Sequence, residues 1–297
     1  MQNTTDTRCR PGEDDLIFTC QLLSGVRAAL VLGRRTIYAR AVRVLILSDI
    51  HANRPALDAV LEHAYANTPR YGAVYSLGDA LGYGPHPREV LEELQRIGAE
   101  CVMGNHGLHL LQLAGGQQAP ASGTGSQMLA WQLSRLSERD LRYVRSWKDV
   151  LDVPELEARF RHGSPLSISE YTDAEAARRS FAQWPGALAF VGHTHVPAAF
   201  AALRGAEGDL VRQQALSAPP QRPYALYRIP PRARVILNPG SVGQPRDGDP
   251  RAAYAVYDSA ARTFQVERVP YDIQQTQRDL RGAGLPQSLR TRLEEGR

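Results

Sequence analysis

Aspartate, histidine and asparagine recur in this chain at spacings suited to holding cations. Asp49 and His51 stand two residues apart, and Asp79 follows Gly78. Asn105 and His106 follow Gly104, His162 precedes Gly163, and His193 and His195 stand two apart behind Gly192. This donor inventory suits borderline divalent ions such as manganese, iron, zinc or cobalt. Magnesium and calcium prefer all-oxygen shells. Taken singly, each element has a plainer reading. Asp49 and Asp79 could cap helices, the glycines could simply form turns, and a lone histidine is more often structural than ligating.

The elements that must position these side chains are readable from apolar patterning. Residues 42–47, 73–77 and 99–103 form short aliphatic runs, which suit strands buried on both faces. Between them, residues 55–65 and 87–97 carry apolar positions at helical spacing, with Pro55 and Pro87 suited to first turns and Gly98 to a helix end. Such alternation predicts a parallel sheet with right-handed crossovers. In an open α/β sheet, loops beyond the carboxyl ends of strands converge on one crevice. Residues 107–150 read as a helical insertion, with patterns at 128–136 and 140–147. Further strands are expected at 157–161, 187–191, 198–203, 224–229, 235–237, 253–257 and 263–268, in a strand-rich, antiparallel second half. One helix is expected at 173–184, residues 204–222 read as a loop, and the charged tail beyond Tyr271 reads as helical surface.

The motifs Asp49-Ile50-His51, Gly78-Asp79, Gly104-Asn105-His106, His162-Gly163 and Gly192-His193-Thr194-His195 resemble the five blocks of the calcineurin-like metallophosphoesterase superfamily. Gly82-Tyr83-Gly84-Pro85, His162-Gly163-Ser164-Pro165 and the segment from Asn238 to Arg246 resemble bacterial and archaeal single-domain members. Some of those cleave phosphodiesters or dinucleoside polyphosphates such as diadenosine tetraphosphate. The resemblance implies an α/β fold: a two-sheet mixed β-sandwich flanked by helices, with residues 107–150 as a small helical cap. It also implies two divalent ions, manganese foremost, with iron, zinc, cobalt or nickel as alternatives. Asp49, His51 and His195 would hold one ion, and Asn105, His162 and His193 the other, with Asp79 bridging. Ions about 3.5–4 Å apart would share a hydroxide that attacks phosphorus in line. His106 would act near the leaving group as a hydrogen-bond donor or acid. Asn53, Tyr83 and Arg246 are candidate substrate contacts, Arg246 because a guanidinium can grip phosphate in bidentate fashion. One departure stands out. The family usually places an acid directly after the Asn-His pair to orient the histidine, and Gly107 stands there instead. Weaker action on poor leaving groups is therefore expected.

Composition narrows the partners. The chain has 297 residues, 43% of them hydrophobic and 22% charged, with a net charge of +4. Lys148 is its only lysine, and no block of basic residues marks a nucleic-acid face. A small phosphate ester or nucleotide is the expected substrate, and stable nucleic-acid binding is not expected. Hydrolysis of phosphomonoesters of proteins or small molecules is the alternative, and a scaffold with this fold the non-enzymatic one. Cys9, Cys20 and Cys101 form no disulfide framework, which suits a reducing cytoplasm. No segment approaches the roughly 18 apolar residues of a membrane span. Residues 1–41 read as a weakly ordered extension, 42–270 as the phosphoesterase domain and 271–297 as a helical tail. The sequence assigns no oligomeric state.

Overall fold

The computed structural model describes residues 42–68, 71–117, 124–205, 208–218 and 222–297, together with two short strands nearer the amino terminus. Those two, β1 (Ile17–Phe18) and β2 (Leu30–Val31), pair antiparallel within a unit spanning Met1–Arg40. The expectation of weak order for the rest of residues 1–41 lies outside the described residues. The second unit, Ala41–Arg297, contains all the chemistry considered below.

Its first sheet begins with β3 (Arg43–Leu47), β4 (Ala73–Ser76) and β5 (Glu100–Cys101), paired in parallel. They are linked by α1 (Arg54–Asn67) and α2 (Pro87–Arg96), as the strand–helix alternation predicts. Side chains alternate across a strand. Val44 and Ile46 of β3 therefore enter the core between two sheets, while Leu45 and Leu47 lie under helices with Leu57, Val60, Val90 and Leu94. The helices α3 (Asn105–Ala114), α4 (Thr124–Leu133) and α5 (Glu138–Arg145) follow and add Leu110, Leu129, Leu141, Val144 and Trp147 to that outer layer. Ser137 and Asp140 cap α5 reciprocally.

The second sheet takes its strands from β6 (Val150–Val153), β7 (Ala158–Arg161), β8 (Leu188–Phe190), β9 (Ala198–Gly205), β10 (Gly208–Ala215) and β12 (Arg234–Asn238). Their order is β10-β9-β12-β8-β7-β6. On its outer face α6 (Ala174–Gln183) packs Ala177 and Phe181 against Phe200, Ala202 and Ile236. The remaining strands, β11 (Tyr224–Arg228), β13 (Ala252–Asp258) and β14 (Thr263–Val269), join the first sheet, in the order β11-β14-β13-β3-β4-β5. Two mixed six-stranded sheets thus face each other across Phe160, Phe190, Leu237, Ala255 and Phe264, with helices outside. This is the two-layer α/β architecture expected from the sequence.

Three expectations need correction. The second half is not antiparallel throughout, because β8 runs parallel to both β7 and β12. Its segment is buried on both faces, which suits a parallel neighbour as well as an antiparallel one. The polar stretch 204–222 contains β10, an edge strand paired along its length with β9 and needing an apolar pattern on one face only.

The tail is not a surface appendage. Its helices α7 (Ile273–Gly282) and α8 (Gln287–Glu295) bury Leu280, Leu289 and Leu293 with Met128 of α4, and Tyr83 packs against that cluster. Buried Thr276 donates its hydroxyl to Asn53 Oδ1 at 3.0 Å. Thr276→Val, nearly isosteric, should cost about 1 kcal/mol of unfolding free energy by removing that bond. A shift of the denaturant midpoint at constant slope would register it.

Candidate metal centre

Each predicted ligand lies just beyond a strand. Asp49 and His51 follow β3, Asp79 follows β4, His162 follows β7, and His193 and His195 follow β8. Asn105 opens α3 after the short β5. Asp49, His51, Asp79, His193 and His195 all have positive φ, between 47° and 67°. Non-glycine residues adopt this left-handed region at a cost that the surrounding structure must offset, and such strain clusters at functional sites. Backbone bonds between the strand-end loops supply the constraint: His51 N donates to Asp79 O at 2.9 Å, Gly192 N to His162 O at 2.7 Å and Gly243 N to Asp49 O at 3.0 Å.

The predicted ligands meet in overlapping groups. Asp49, His51 and His195 form one, Asp79, His162 and His193 a second, and His51, Asp79 and His106 a third, each with donor atoms within 4.8 Å of one another. The third links the other two, sharing His51 with the first and Asp79 with the second. Asn105 Oδ1 lies 3.0 Å from His162 Nε2.

The imidazoles are held in defined tautomers. Nδ1 of His51 donates to Leu81 O at 2.9 Å, that of His162 to Leu77 O at 2.7 Å, and that of His195 to Gln244 O at 2.5 Å. In its neutral form each ring then offers its Nε2 lone pair to the site. The Nε2 atoms of His51 and His195 stand 3.1 Å apart, and Asp49 Oδ1 is 3.1 Å from the latter. Asp49 Oδ1 is buried without a hydrogen-bond donor, while its Oδ2 accepts from Ser48 Oγ and His193 N. Lone pairs converging in a water-poor interior repel unless a cation lies between them. The donor set therefore fits divalent metal, and the carbonyl partners on Nδ1 are those that orient metal-binding histidines.

Electrostatics agree. Burial lowers the His51 pKa well below the usual imidazole range, aided by His195 and His106. Burial, with His162 beside it, brings His193 to about 4. Both stay neutral at pH 7 and keep a lone pair free. At His162 burial acts downward too, but the Asp79 carboxylate outweighs it and raises the value to about 9. Burial alone would raise Asp79; His162 and His106 instead hold it well below the ordinary carboxylate range.

His106 is placed by packing. Its backbone N–H donates to Asp79 Oδ1 at 2.9 Å, so Asp79 supplies the cap that Gly104 cannot give α3. Its ring stands edge-on to His51 and Tyr83, with centroids 5.0 and 4.7 Å away, and its Nδ1 has no hydrogen-bond partner. Gly82, at φ +94°, lies directly beneath that Nδ1, where a Cβ would overlap it. Gly82→Ala should therefore displace His106 and lower kcat about tenfold or more, since 1 Å misplacements can cost a hundredfold. Turnover at saturating substrate, with metal content unchanged, is the check.

At Gly107, where an acid was expected by resemblance, an added Cβ would lie 2.9 Å from Met103 Sδ and near Trp147 and Val144. The site suits a small residue among apolar side chains. Gly107→Asp should lower stability by about 1–3 kcal/mol through overpacking and carboxylate burial. Thermal unfolding of the metal-free variant would read this.

The three candidate substrate contacts fare differently. Asn53 is buried and fully engaged: it caps α1 through Ala56 N, donates to Gly243 O and Tyr271 Oη, and accepts from Thr276. Its side-chain donors and acceptor thus tie α1 to the loop at Gly243 and to the tail. Tyr83 also packs edge-on to His51, at 4.7 Å, and Gln132 of α4 bonds to Gly82 N and Gly84 O on either side of it. The Arg246 guanidinium lies 5.8 Å from the Tyr83 ring and donates to Gln244 Oε1 at 3.0 Å. Sequence patterning singled out neither Gln132 nor Tyr171, which stacks on His193. Neither falls in a motif, and only the folded chain reveals their neighbours.

Residues 42–262 match the calcineurin-like phosphoesterase superfamily domain, and the chain belongs to that family of metallophosphoesterases. A metallophosphoesterase from Sphaerobacter thermophilus superposes with a TM-score of 0.72 at 36% identity, covering 87% of this chain and 100% of its own. A hypothetical protein from Pyrococcus horikoshii OT3 shares the fold, with a TM-score of 0.66 at 18% identity over 86% of this chain and 99% of its own. An uncharacterized protein of Methanocaldococcus jannaschii is 28% identical over 260 residues, 86% of this chain and 98% of the relative. No helix among the described residues is long and apolar enough to cross a membrane.

Proposed function

We propose that this phosphoesterase hydrolyses a small phosphodiester or nucleotide-linked phosphate with two divalent cations, manganese foremost. Asp49, His51 and His195 would hold one cation, Asn105, His162 and His193 the other, and Asp79 both. The observation that carries this reading is the convergence of two buried donor groups, Asp49-His51-His195 and Asp79-His162-His193, joined by a third that contains both His51 and Asp79. Bound cations would supply Lewis acidity toward a phosphoryl oxygen and make water more acidic.

The remaining work falls to the chain. His51, His162 and His195 keep their Nε2 atoms aimed inward because their Nδ1 protons are committed to carbonyls. His106, held low in pKa chiefly by burial, is neutral at pH 7. It can donate one N–H toward the departing oxygen and hold it there while charge develops. Arg246, whose guanidinium lies 5.8 Å from the Tyr83 ring, can neutralise a phosphate oxygen on that side.

A small substrate fits better than a polymer, because the ligands are buried and no basic tract extends from them. The test is a manganese-supplemented panel of bis-p-nitrophenyl phosphate, p-nitrophenyl phosphate, cyclic nucleotides and diadenosine tetraphosphate, alongside metal analysis. Turnover of a diester or dinucleotide with two equivalents of metal is expected. An inert protein without stoichiometric metal would remove the proposal.

A further inference from the structure

We propose that Tyr171 is a stacking platform that selects phosphate esters bearing a planar aromatic group, a nucleobase in particular. This rests on the phosphoesterase reading above and names the feature of the substrate recognised at that same site.

Tyr171 lies on the loop between β7 and α6. Its ring is stacked on His193, with centroids 4.2 Å apart and planes inclined by 19°. His193 belongs to the donor group with Asp79 and His162, so the tyrosine stands directly beside the metal centre. One face of the ring is taken by the imidazole, yet Tyr171 remains 54% exposed, among the most exposed large aromatic residues described. Burying an aromatic ring is favourable, and a chain that leaves one open has forgone that gain.

The loop is also built to keep the ring in place. His193 Nε2 donates to Ser169 O at 3.2 Å. Glu170 accepts from Ser164 Oγ and from Arg179 of α6. Thr172, buried, donates its hydroxyl to Gly163 O at 2.8 Å. The residues flanking Tyr171 are thus anchored while its own ring is open to solvent. Tyr83 is a weaker platform, because its ring is wedged against His51 and His106 and against the cluster beneath α7 and α8. A phosphate at the donor groups, joined through a sugar to a base, would bring that base within reach of the open Tyr171 face. Stacking on an aromatic side chain tolerates any base, since every base has a π face.

The experiment titrates AMP and ribose 5-phosphate into manganese-loaded protein by calorimetry, for the wild type, Tyr171→Leu and Tyr171→Phe. The wild type should bind AMP about tenfold more tightly than ribose 5-phosphate, the order expected from one base–aromatic stack. Tyr171→Leu should bring that ratio close to one, and Tyr171→Phe should preserve it, both with unchanged metal content. An unaltered ratio in Tyr171→Leu, no preference in the wild type, or binding of neither ligand would overturn the proposal. So would equal weakening of both ligands together with metal loss, which would mark Tyr171 as only a support for His193. Hydrolysis of bis-p-nitrophenyl phosphate by the same wild-type preparation reports on the phosphoesterase reading separately, because the binding ratio does not depend on turnover.

Discussion

Asp79→Asn should reduce phosphodiester turnover by at least about a thousandfold, on the argument that the charge proposed to serve both cations is lost. The replacement is nearly isosteric, so the amide oxygen can still accept from His106 N and cap α3. What disappears is the negative charge 3.1 Å from His162 Nε2. Metal content should fall with activity, whereas a purely structural residue would lose activity only as far as it lost folded protein. A second readout uses metal-free protein and histidine NMR. There His162 stands at about 9 because Asp79 outweighs burial. In Asp79→Asn burial is left with less opposition, and the His162 pKa should drop toward or below the ordinary imidazole value. A variant with full turnover, or with His162 unmoved, would contradict this account.

Gly104→Ala is the second substitution with a large expected effect. The Cβ would overlap both Oδ1 and the backbone nitrogen of Asp79, atoms that belong to a strained, positive-φ residue with little freedom to retreat. Overpacking of this kind costs about 1–3 kcal/mol. The functional loss should be larger in proportion, because the carboxylate that must yield is the one proposed to serve both cations. A displacement near 1 Å at such a position can cost about a hundredfold in rate. Denaturant unfolding and kcat/KM on the same preparation would show whether both effects occur. Loss of stability with normal catalysis would mean that Asp79 tolerates displacement.

The candidate ligands were legible because each follows a short strand and sits in a compact motif, and the parallel-sheet logic sends such loops to one edge. The strands β3 and β4 and the helices α1 and α2 were legible for the same reason, since local periodicity encodes them. Partner choice between strands was not. Nothing in residues 252–258 announces that they pair with residues 43–46 rather than with their neighbours in the second half. The role of Asn53 was also hidden: its position behind His51 suggests a site residue, but its partners Gly243, Tyr271 and Thr276 come from far along the chain. The tail looked like surface because its charged residues outnumber the few leucines that anchor it.

The junction of β3 with β13 has a consequence for how the molecule is made. Ala255 pairs with Ile46, and Asp258 with Arg43, so a central seam of the first sheet joins segments more than two hundred residues apart. During synthesis β3 waits, with that flank unzipped, until β13 has also left the ribosome. Contacts this distant in sequence slow folding, and an unmatched strand invites association between nascent chains. Refolding from denaturant should accordingly be slow for the chain's size and sensitive to protein concentration.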